Sequence, residues 1–320
     1  SKDSSLSILQ QYASKDKRIK VFTQENQGPA TARNVGLKNA VGKYIMFCDS
    51  DDWCEPDMCK EMFECIEKEN VDIVMCDCNV VEVESDHLRN KGDDNYVKLK
   101  RKYFYDISKN SSIGIPLVLW NKIFKKSLID NYNISFPNGY LHDDDAFIRQ
   151  YISVSSSYFG LDVKLYNYVF RRNSIMSETF LRKNDLKILD KIYSAIFFYN
   201  FLAKNNLLDS KYAYFLNSLM EDIHFCWQLL HEEKYKHKVL ELVDNIIKDI
   251  DSDKFLKSDK DIFIAIKNRD FQKAKKLLDK KYGTKKTLSI FGFDIFKKTK
   301  DALHKKIYLF GFLVYTKKYR

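Results

Sequence analysis

An apolar run of five residues, Tyr44–Cys48, stops abruptly at a cluster of acidic residues. Turn-forming residues bound the run, as in a strand that is buried on both faces. Helical patterns precede and follow it at Ala30–Ala40 and Asp57–Lys68. Strands that alternate with helices predict an α/β fold with a parallel sheet. Ligands of such sheets bind beyond the carboxyl ends of the strands, so the acidic cluster is a candidate binding site.

Helices and strands are predicted over most of the remaining chain as well. A helix is predicted at residues 4–14, and strands are predicted at Ile19–Thr23 and Val71–Met75. The segment Leu117–Asp130 is typical of a helix, or of a strand that leads into a helix. From Lys183 to Leu278 the apolar spacing is helical throughout. The pattern therefore predicts an α/β part followed by a helical part.

The net charge of +10 belongs to the C-terminal tail, because residues 280–320 contain 12 Lys or Arg and two acids. The tail also repeats a short segment, LSIFGFDIFKK at Leu288–Lys298 and IYLFGFLVYTK at Ile307–Lys317. Each copy is predicted to be a strand or hairpin bent at its central glycine. A neutral body argues against a nucleic-acid-binding protein, whereas a basic aromatic tail favours contact with an anionic membrane surface. A small hairpin packed on the body is the alternative.

Seven cysteines are present, without paired CxxC spacing and without accompanying histidines. We interpret them as reduced packing residues rather than as metal ligands or disulfides. No run approaches the ~18 apolar residues that a membrane-spanning helix requires. We expect a cytoplasmic protein, or one that binds peripherally to the inner face of the membrane.

Two acidic clusters are the candidates for chemistry. Asp49 and Asp51 lie one residue apart after the buried strand and can present oxygens to one hard cation, such as Mg²⁺ or Mn²⁺. The alternative is a solvated loop in which Asp52 caps the next helix. The second cluster, Asp143–Asp145, precedes a helix. The alternative here is a structural role, because carboxylates at the N-terminus of a helix stabilise it. Three adjacent acids repel one another, which raises the proton affinity of at least one and suits a general base.

Motif spacing then indicates a family. Residues 24–57 reproduce the run QENxGxxxARNxGL...GxYIxFxDSDDWxxPD. This run closely resembles the donor half of family 2 glycosyltransferases, which have the GT-A fold. His142–Phe147 resembles the family segment HEDExF, with Asp143 in place of the usual Glu. Trp120–Lys122 resembles the acceptor-side segment, although a core anchor explains Trp120 equally well.

The resemblance covers roughly residues 1–175 and implies an activity. It implies a GT-A domain at 1–178, a helical domain at 179–282 and a basic aromatic tail at 283–320. The expected reaction is inverting transfer of a sugar from a nucleotide-diphosphate donor, by default a UDP-sugar. The expected acceptor is a hydroxyl of a glycan or lipid-linked molecule, in surface polysaccharide biosynthesis. A non-catalytic protein that binds sugar nucleotides is the alternative.

Individual roles follow from the resemblance. Asp144 takes the position of the catalytic base, with Asp143 as the second choice, and Asp49 and Asp51 are expected to bind the divalent metal. The residues expected to contact the donor are Asp3, Arg33, Asn34, Asp49, Asp51 and Arg171. For Arg33 and Asn34 the alternative role is structural, in fixing their loop against the sheet.

The family begins with two strands that the present chain lacks, one of the type SIIIPVYN and one that ends in DDG. Because those strands supply contacts to the nucleobase and ribose, we expect this chain to be incomplete at its N-terminus and inactive by itself. We also expect an unpaired apolar edge at Ile19–Thr23 or Tyr44–Cys48.

Overall fold

The computed structural model describes residues 3–84, 87–90, 104–106, 115–170, 184–282, 287–290, 293–300, 304–309 and 312–318. An α/β part comes first along the chain. Its helices are α1 (Ser5–Lys15), α2 (Pro29–Asn39), α3 (Met58–Glu69), α4 (Lys126–Tyr132) and α5 (Asp143–Val154). Its strands are β1 (Tyr44–Met46), β2 (Trp53–Cys54), β3 (Ile73–Glu84), β4 (His87–Asn90), β5 (Phe104–Asp106), β6 (Lys122–Lys125) and β7 (Ser157–Phe170).

The strands of this part form one mixed sheet in the order β1-β6-β3-β7-β2, with β4 beside β3 and β5 beside β7. β3 and β7 are parallel, whereas β6 runs antiparallel to both β1 and β3. The predicted parallel pairing therefore holds for β3 and β7 only. At the start of β3, Ile73–Cys76 is almost completely buried, as expected of a continuous apolar run at the centre of a covered sheet.

The predicted strand at Ile19–Thr23 is wrong, because these residues have no regular secondary structure. Ile19 and Phe22 are 38% and 51% exposed. Alternation and β-branched residues favour an extended backbone, but a strand also needs a neighbour for its N–H and C=O groups. Among the described residues no strand pairs with this segment.

The predicted strand at Tyr44–Cys48 forms over three residues, β1, and pairs with β6. It stands at one end of the strand order of the described sheet. Ile45 of β1 is nonetheless buried, with 8% exposure. The strand-to-helix interpretation of Leu117–Asp130 is confirmed, since β6 leads directly into α4.

The helical part follows β7 along the chain. It contains α6 (Asp185–Lys204), α7 (Leu208–Leu229), α8 (Glu233–Ile247), α9 (Lys260–Lys267) and α10 (Phe271–Tyr282), with a short 3₁₀ turn at Ser252–Lys254. Its core is continuous with that of the α/β part: Phe147 and Ile152 of α5 belong to the same buried cluster as Ile188 and Ile192 of α6. The shared core does not mark a boundary between the two parts. The proposed domain boundary at residue 178 therefore stays a prediction.

The tail forms a separate antiparallel sheet in the order β11-β10-β9-β8. Its strands are β8 (Thr287–Ile290), β9 (Phe293–Lys300), β10 (His304–Leu309) and β11 (Phe312–Lys318). Each copy of the repeat thus contributes two paired strands, as the hairpin interpretation predicted. The two central glycines lie outside the described residues.

Two further expectations concern the cysteines and the membrane. All seven cysteines are free. Cys65, Cys76, Cys78 and Cys226 are buried packing residues, whereas Cys48 and Cys59 are exposed, so the packing interpretation is wrong for those two. Across the described residues, no helix has both the length and the apolarity needed to cross a bilayer.

Candidate functional site

An aromatic cluster brings the two acidic segments together. Phe47, two residues before Asp49, packs edge-on against Phe147 of α5 with the ring centroids 5.5 Å apart. Phe136 stacks on the same Phe147 ring at 4.4 Å and contacts Phe47 edge-on at 5.6 Å. Such aromatic pairs add specific geometry to their burial. The loop after β1 and the N-terminus of α5 are therefore adjacent, although about 100 residues of chain separate them.

Arg33 of α2 bridges the two acidic segments directly. Its Nη2 donates to Asp49 Oδ1 at 2.9 Å, and its Nη1 donates to Asp143 Oδ2 at 2.7 Å. Burial opposes the charged guanidinium, but the charges of Asp143 and Asp49 outweigh it and hold the pKa of Arg33 above its ordinary value. Three residues that the sequence analysis selected thus form one contact network.

Asp144 differs from its neighbour because it has no guanidinium partner among the described residues. Its Oδ1 accepts the N–H of Asp145 at 3.0 Å. Burial, followed by the charge of Asp143, raises the pKa of Asp144 to about 7. A carboxyl group with this pKa exchanges its proton readily near neutral pH, as a general base requires. Asp143 is instead engaged by Arg33, so the geometry favours Asp144 over Asp143 as the base.

The third acid, Asp145, turns away into the interior. It is fully buried and pairs with Lys191 of α6. Lys191 Nζ also lies 3.8 Å from Asp222 Oδ1 on α7. The two oxygens of Asp222 each accept a hydrogen bond from the guanidinium group of Arg149 on α5. These two positive and two negative charges compensate one another in a buried network, which joins α5 to the helical part.

His142 begins this segment with a left-handed backbone, at φ 61°. Its ring is buried against Phe225, 5.3 Å between centroids. Burial, assisted by the positive charge of Lys191, lowers the pKa of His142 well below its ordinary value. His142 is therefore a neutral residue that turns the chain into α5, and it does not serve as a cation at the site.

Asp52 does not cap the next helix, and that interpretation is wrong. Asp57 is the residue that precedes α3, and its side chain makes no cap hydrogen bond. Asp52 Oδ1 accepts the N–H of Val169 at 2.7 Å, and its Oδ2 accepts the hydroxyl of Tyr166 at 2.8 Å. Burial raises the pKa of Asp52 to about 6. A local sequence pattern suggested a cap, but two partners on β7, more than 110 residues away, bind the carboxylate instead.

The metal candidates are the remaining two acids of this loop. Asp51 is exposed, and one oxygen of Asp49 binds Arg33. Within the described ranges, no group of three or more His, Cys, Asp and Glu side chains could hold a metal ion. A Mg²⁺ ion commonly uses one or two carboxylates and completes its shell with water and phosphate oxygens. The chemistry of this donor pair fits such a shared site, in which a diphosphate supplies the other ligands.

The remaining predicted donor residues differ in what they contact. Asn34 donates to Phe136 O and accepts from Phe136 N–H, both at 2.9 Å, so its amide fixes the loop after α4. This favours the structural role for Asn34. Asp3 accepts the N–H of Ser5 at the start of α1. Arg171 lies outside the described residues.

The segment Trp120–Lys122 is buried throughout, with exposures of 5%, 0% and 0%. Lys122 donates to Val118 O and to Asn121 Oδ1, both at 2.7 Å. Burial lowers the pKa of Lys122 to about 7. These contacts favour the core anchor for Trp120 over a contact with the acceptor.

Sequence reasoning missed Tyr166 and Lys191, which contact the two acidic segments. Lys191 lies within the helical pattern of Lys183–Leu278, and no element was predicted for the segment that contains Tyr166. A lysine among the apolar residues of a buried helix face was a usable signal for Lys191, since such a charge needs a partner. No local signal identifies the partner of Tyr166.

Comparisons with known proteins indicate a family and a fold for this chain. Residues 1–132 match the model for Glycosyl transferase family 2. The putative glycosyltransferase EpsH of Bacillus subtilis (strain 168) is 34% identical over 187 residues, which are 55% of this chain and 52% of EpsH. Glycosyltransferase GlyA of Streptococcus pneumoniae serotype 4 is 29% identical over 183 residues, 55% of this chain and 26% of GlyA. The chain thus spans about half of EpsH and about a quarter of GlyA.

The fold also matches a solved structure. The crystal structure of S. aureus TarS 1-349 in complex with UDP-GlcNAc superposes with a TM-score of 0.64 at 18% identity, over 97% of this chain and 85% of that one. At this identity the likeness concerns the fold alone. The sequence motifs, the family match and the fold lead to one assignment: residues 1–132 carry a domain that matches glycosyl transferase family 2, within a GT-A fold.

Proposed function

We propose that the full-length protein is an inverting glycosyltransferase. It moves a sugar from a nucleotide-diphosphate donor to a hydroxyl of a glycan or lipid-linked acceptor. One observation carries the proposal: Arg33 joins Asp49 to Asp143, and Asp144 stands next to that bridge with a raised pKa. An acidic loop for the donor diphosphate and a base for the acceptor hydroxyl are then within one site.

In the proposed reaction Asp144 removes the proton of the acceptor hydroxyl as that oxygen attacks the anomeric carbon. The new carbon–oxygen bond forms while the bond from the anomeric carbon to the diphosphate breaks. The nucleoside diphosphate leaves with the electron pair of the broken bond. Because attack and departure occur on opposite faces, the configuration at the anomeric carbon is inverted.

A divalent metal, Mg²⁺ or Mn²⁺, would be held by Asp49 and Asp51. When bound, it neutralises charge on the leaving diphosphate. The exposed carboxylate of Asp51 supports this role, because it can reach a ligand without losing a described ion pair. Arg33 already neutralises part of the charge of Asp49 and Asp143, which lets these acids lie close together.

A UDP-sugar is the proposed donor. The similar TarS structure is described as a complex with UDP-GlcNAc, and this supports the choice of nucleotide. Surface polysaccharide assembly, on the cytoplasmic side of the membrane, is the proposed setting. Arg171 and Asp3 are proposed to contact the donor as they would in the family, whereas Asn34 supports the site through the loop at Phe136.

The test is release of UDP from a panel of UDP-sugars by the full-length protein, with and without EDTA, with water taking the sugar in place of the unidentified acceptor. We expect release that requires Mn²⁺ or Mg²⁺. Asp51→Ala should abolish metal-dependent UDP binding, whereas Asp144→Asn should keep the binding and lose the release. Asp209→Ala, which changes an exposed aspartate at the start of α7, is the matched control and should behave as the unchanged protein.

Three outcomes of this assay would contradict parts of the proposal. UDP release that is unaffected by EDTA would contradict the metal role. Metal-dependent UDP binding, with no release from any sugar of the panel, would favour a non-catalytic protein that binds sugar nucleotides. Release retained in full by Asp144→Asn would show that another group is the base.

A further inference from the structure

The acidic loop Asp49–Asp52 lies between two short strands and has little backbone support. β1 and β2 have three and two residues, respectively. Within the loop, the N–H of Asp52 donates to Asp49 O at 3.2 Å, which closes a single turn. Loops with so few backbone bonds are usually the least stable parts of a fold. The shape of this loop must therefore depend on contacts from outside it.

One side chain, Tyr166 of β7, holds both ends of the loop. The N–H of Asp49 donates to the hydroxyl of Tyr166 at 3.1 Å. The same hydroxyl donates to Asp52 Oδ2 at 2.8 Å. The backbone of β7 adds a third bond, from Val169 N–H to Asp52 Oδ1, at 2.7 Å. One hydroxyl group therefore accepts a hydrogen bond from the first residue of the acidic loop and donates one to the last residue.

The position of that hydroxyl is itself fixed. Tyr166 has 0% exposure. The ring of Trp120 stacks on it with centroids 4.6 Å apart and planes 16° from parallel. β2, which follows the loop, pairs with β7 at Cys54 and Tyr166. Burial and the stacking on Trp120 hold the ring in place, so the loop is attached to a well-packed side chain.

We infer that Tyr166 is a positioning residue of the acidic loop, with Trp120 as its support. It fixes Asp49 and Asp52, and so it sets the place of the Asp51 carboxylate between them. This inference rests on the proposed function, in which Asp49 and Asp51 bind a divalent cation together with a nucleoside diphosphate. Groups that orient metal ligands commonly affect metal affinity by about 10-fold to 100-fold, although they never touch the metal.

Tyr166→Phe tests the inference, because it keeps the ring and its stacking on Trp120 and removes only the hydroxyl. The matched control is Tyr151→Phe. Tyr151 is equally buried, and its hydroxyl donates to two backbone carbonyl groups away from the acidic loop, at 2.9 and 3.2 Å. Both changes remove one buried hydroxyl, so any general loss of stability is common to the two variants.

Two measurements are made on the full-length protein. The affinity for UDP in the presence of Mn²⁺ is measured by calorimetry, and hydrogen exchange of the Asp49 amide is measured without metal or nucleotide. Tyr166→Phe should weaken UDP affinity by about tenfold or more and accelerate exchange of the Asp49 amide. Tyr151→Phe should change neither. A folded Tyr166→Phe variant with unchanged affinity and exchange would overturn the inference, as would an equal loss of affinity in Tyr151→Phe.

The exchange measurement separates this inference from the proposed function. If the unchanged protein does not bind UDP with Mn²⁺, the proposed function fails. Exchange at Asp49 still reports whether Tyr166 holds the loop. If UDP binds as proposed and both tyrosine variants bind it equally well, the function stands and the positioning role is wrong.

Discussion

Replacing Asp144 with asparagine should stabilise the protein at alkaline pH while it removes activity. Burial and the charge of Asp143 raise the pKa of Asp144 from 3.8 to about 7. Above that pH the folded protein carries a carboxylate that the unfolded chain would solvate better. Asparagine has almost the same shape and stays neutral, so it removes this cost.

The magnitude follows from the same values. Each tenfold change in acidity corresponds to about 1.4 kcal/mol, so ionised Asp144 costs the folded state at most about 4 kcal/mol. The cost is absent below about pH 4, where the carboxyl group of Asp144 is protonated in both the folded and the unfolded state. Because the pKa is higher in the folded state, wild-type stability falls as the pH rises through the window from about 4 to about 7.

Denaturant unfolding of both proteins at about pH 4.5 and about pH 8 measures this difference. We expect Asp144→Asn to be more stable by about 1 kcal/mol at the lower pH and by about 4 kcal/mol at the higher one. Asp209→Asn, an exposed aspartate at the start of α7, is the matched control for the removed charge. An advantage of Asp144→Asn that is the same at both pH values, or a variant that is less stable at about pH 8, would show that ionised Asp144 does not destabilise the folded protein.

Two further predictions concern the helical part and the tail. Lys191→Met should destabilise the protein by about 3–5 kcal/mol in denaturant unfolding, because it leaves Asp145 buried without its partner, and adding Asp145→Asn should restore most of the loss. A loss below about 1 kcal/mol would show that the network contributes little. Removing residues 285–320 should abolish co-sedimentation with anionic vesicles at low salt, and high salt should release the intact protein, since each lysine contributes roughly 1 kcal/mol near such a surface. Equal binding by both proteins, or unfolding of the shortened one, would contradict the tail as a membrane contact.

The sequence predicted those elements whose signals are local. The helix predicted at Ala30–Ala40 forms as α2, Pro29–Asn39, and Gly28 before it has the positive φ of 86° that a glycine adopts without strain. The acidic cluster after β1 was predicted correctly as the end of a strand. Residue spacing alone was sufficient for these elements, because a helix start or a strand end depends on a few neighbouring residues.

The errors have a common physical cause, which is dependence on distant partners. Ile19–Thr23 has the composition of a strand but no neighbouring strand among the described residues. Asp52 has the position of a helix cap, yet Tyr166 and Val169 bind it. The Arg33 bridge to Asp143 spans 110 residues. Family resemblance suggested these acids as a group, but only the fold shows which of them is paired and which is free to take a proton.

The core shared by α5 and the helical part has a consequence for protein engineering. Exchanging residues 179–282 for the helical part of a relative would replace Lys191 and Asp222, the partners of Asp145 and Arg149 on α5. Such a chimera would carry every acidic residue of the site and still present Asp144 from a helix with unmatched buried charges. An exchange that keeps the site intact needs to transfer α5 together with α6 and α7, so the natural unit of recombination crosses the boundary between the two parts.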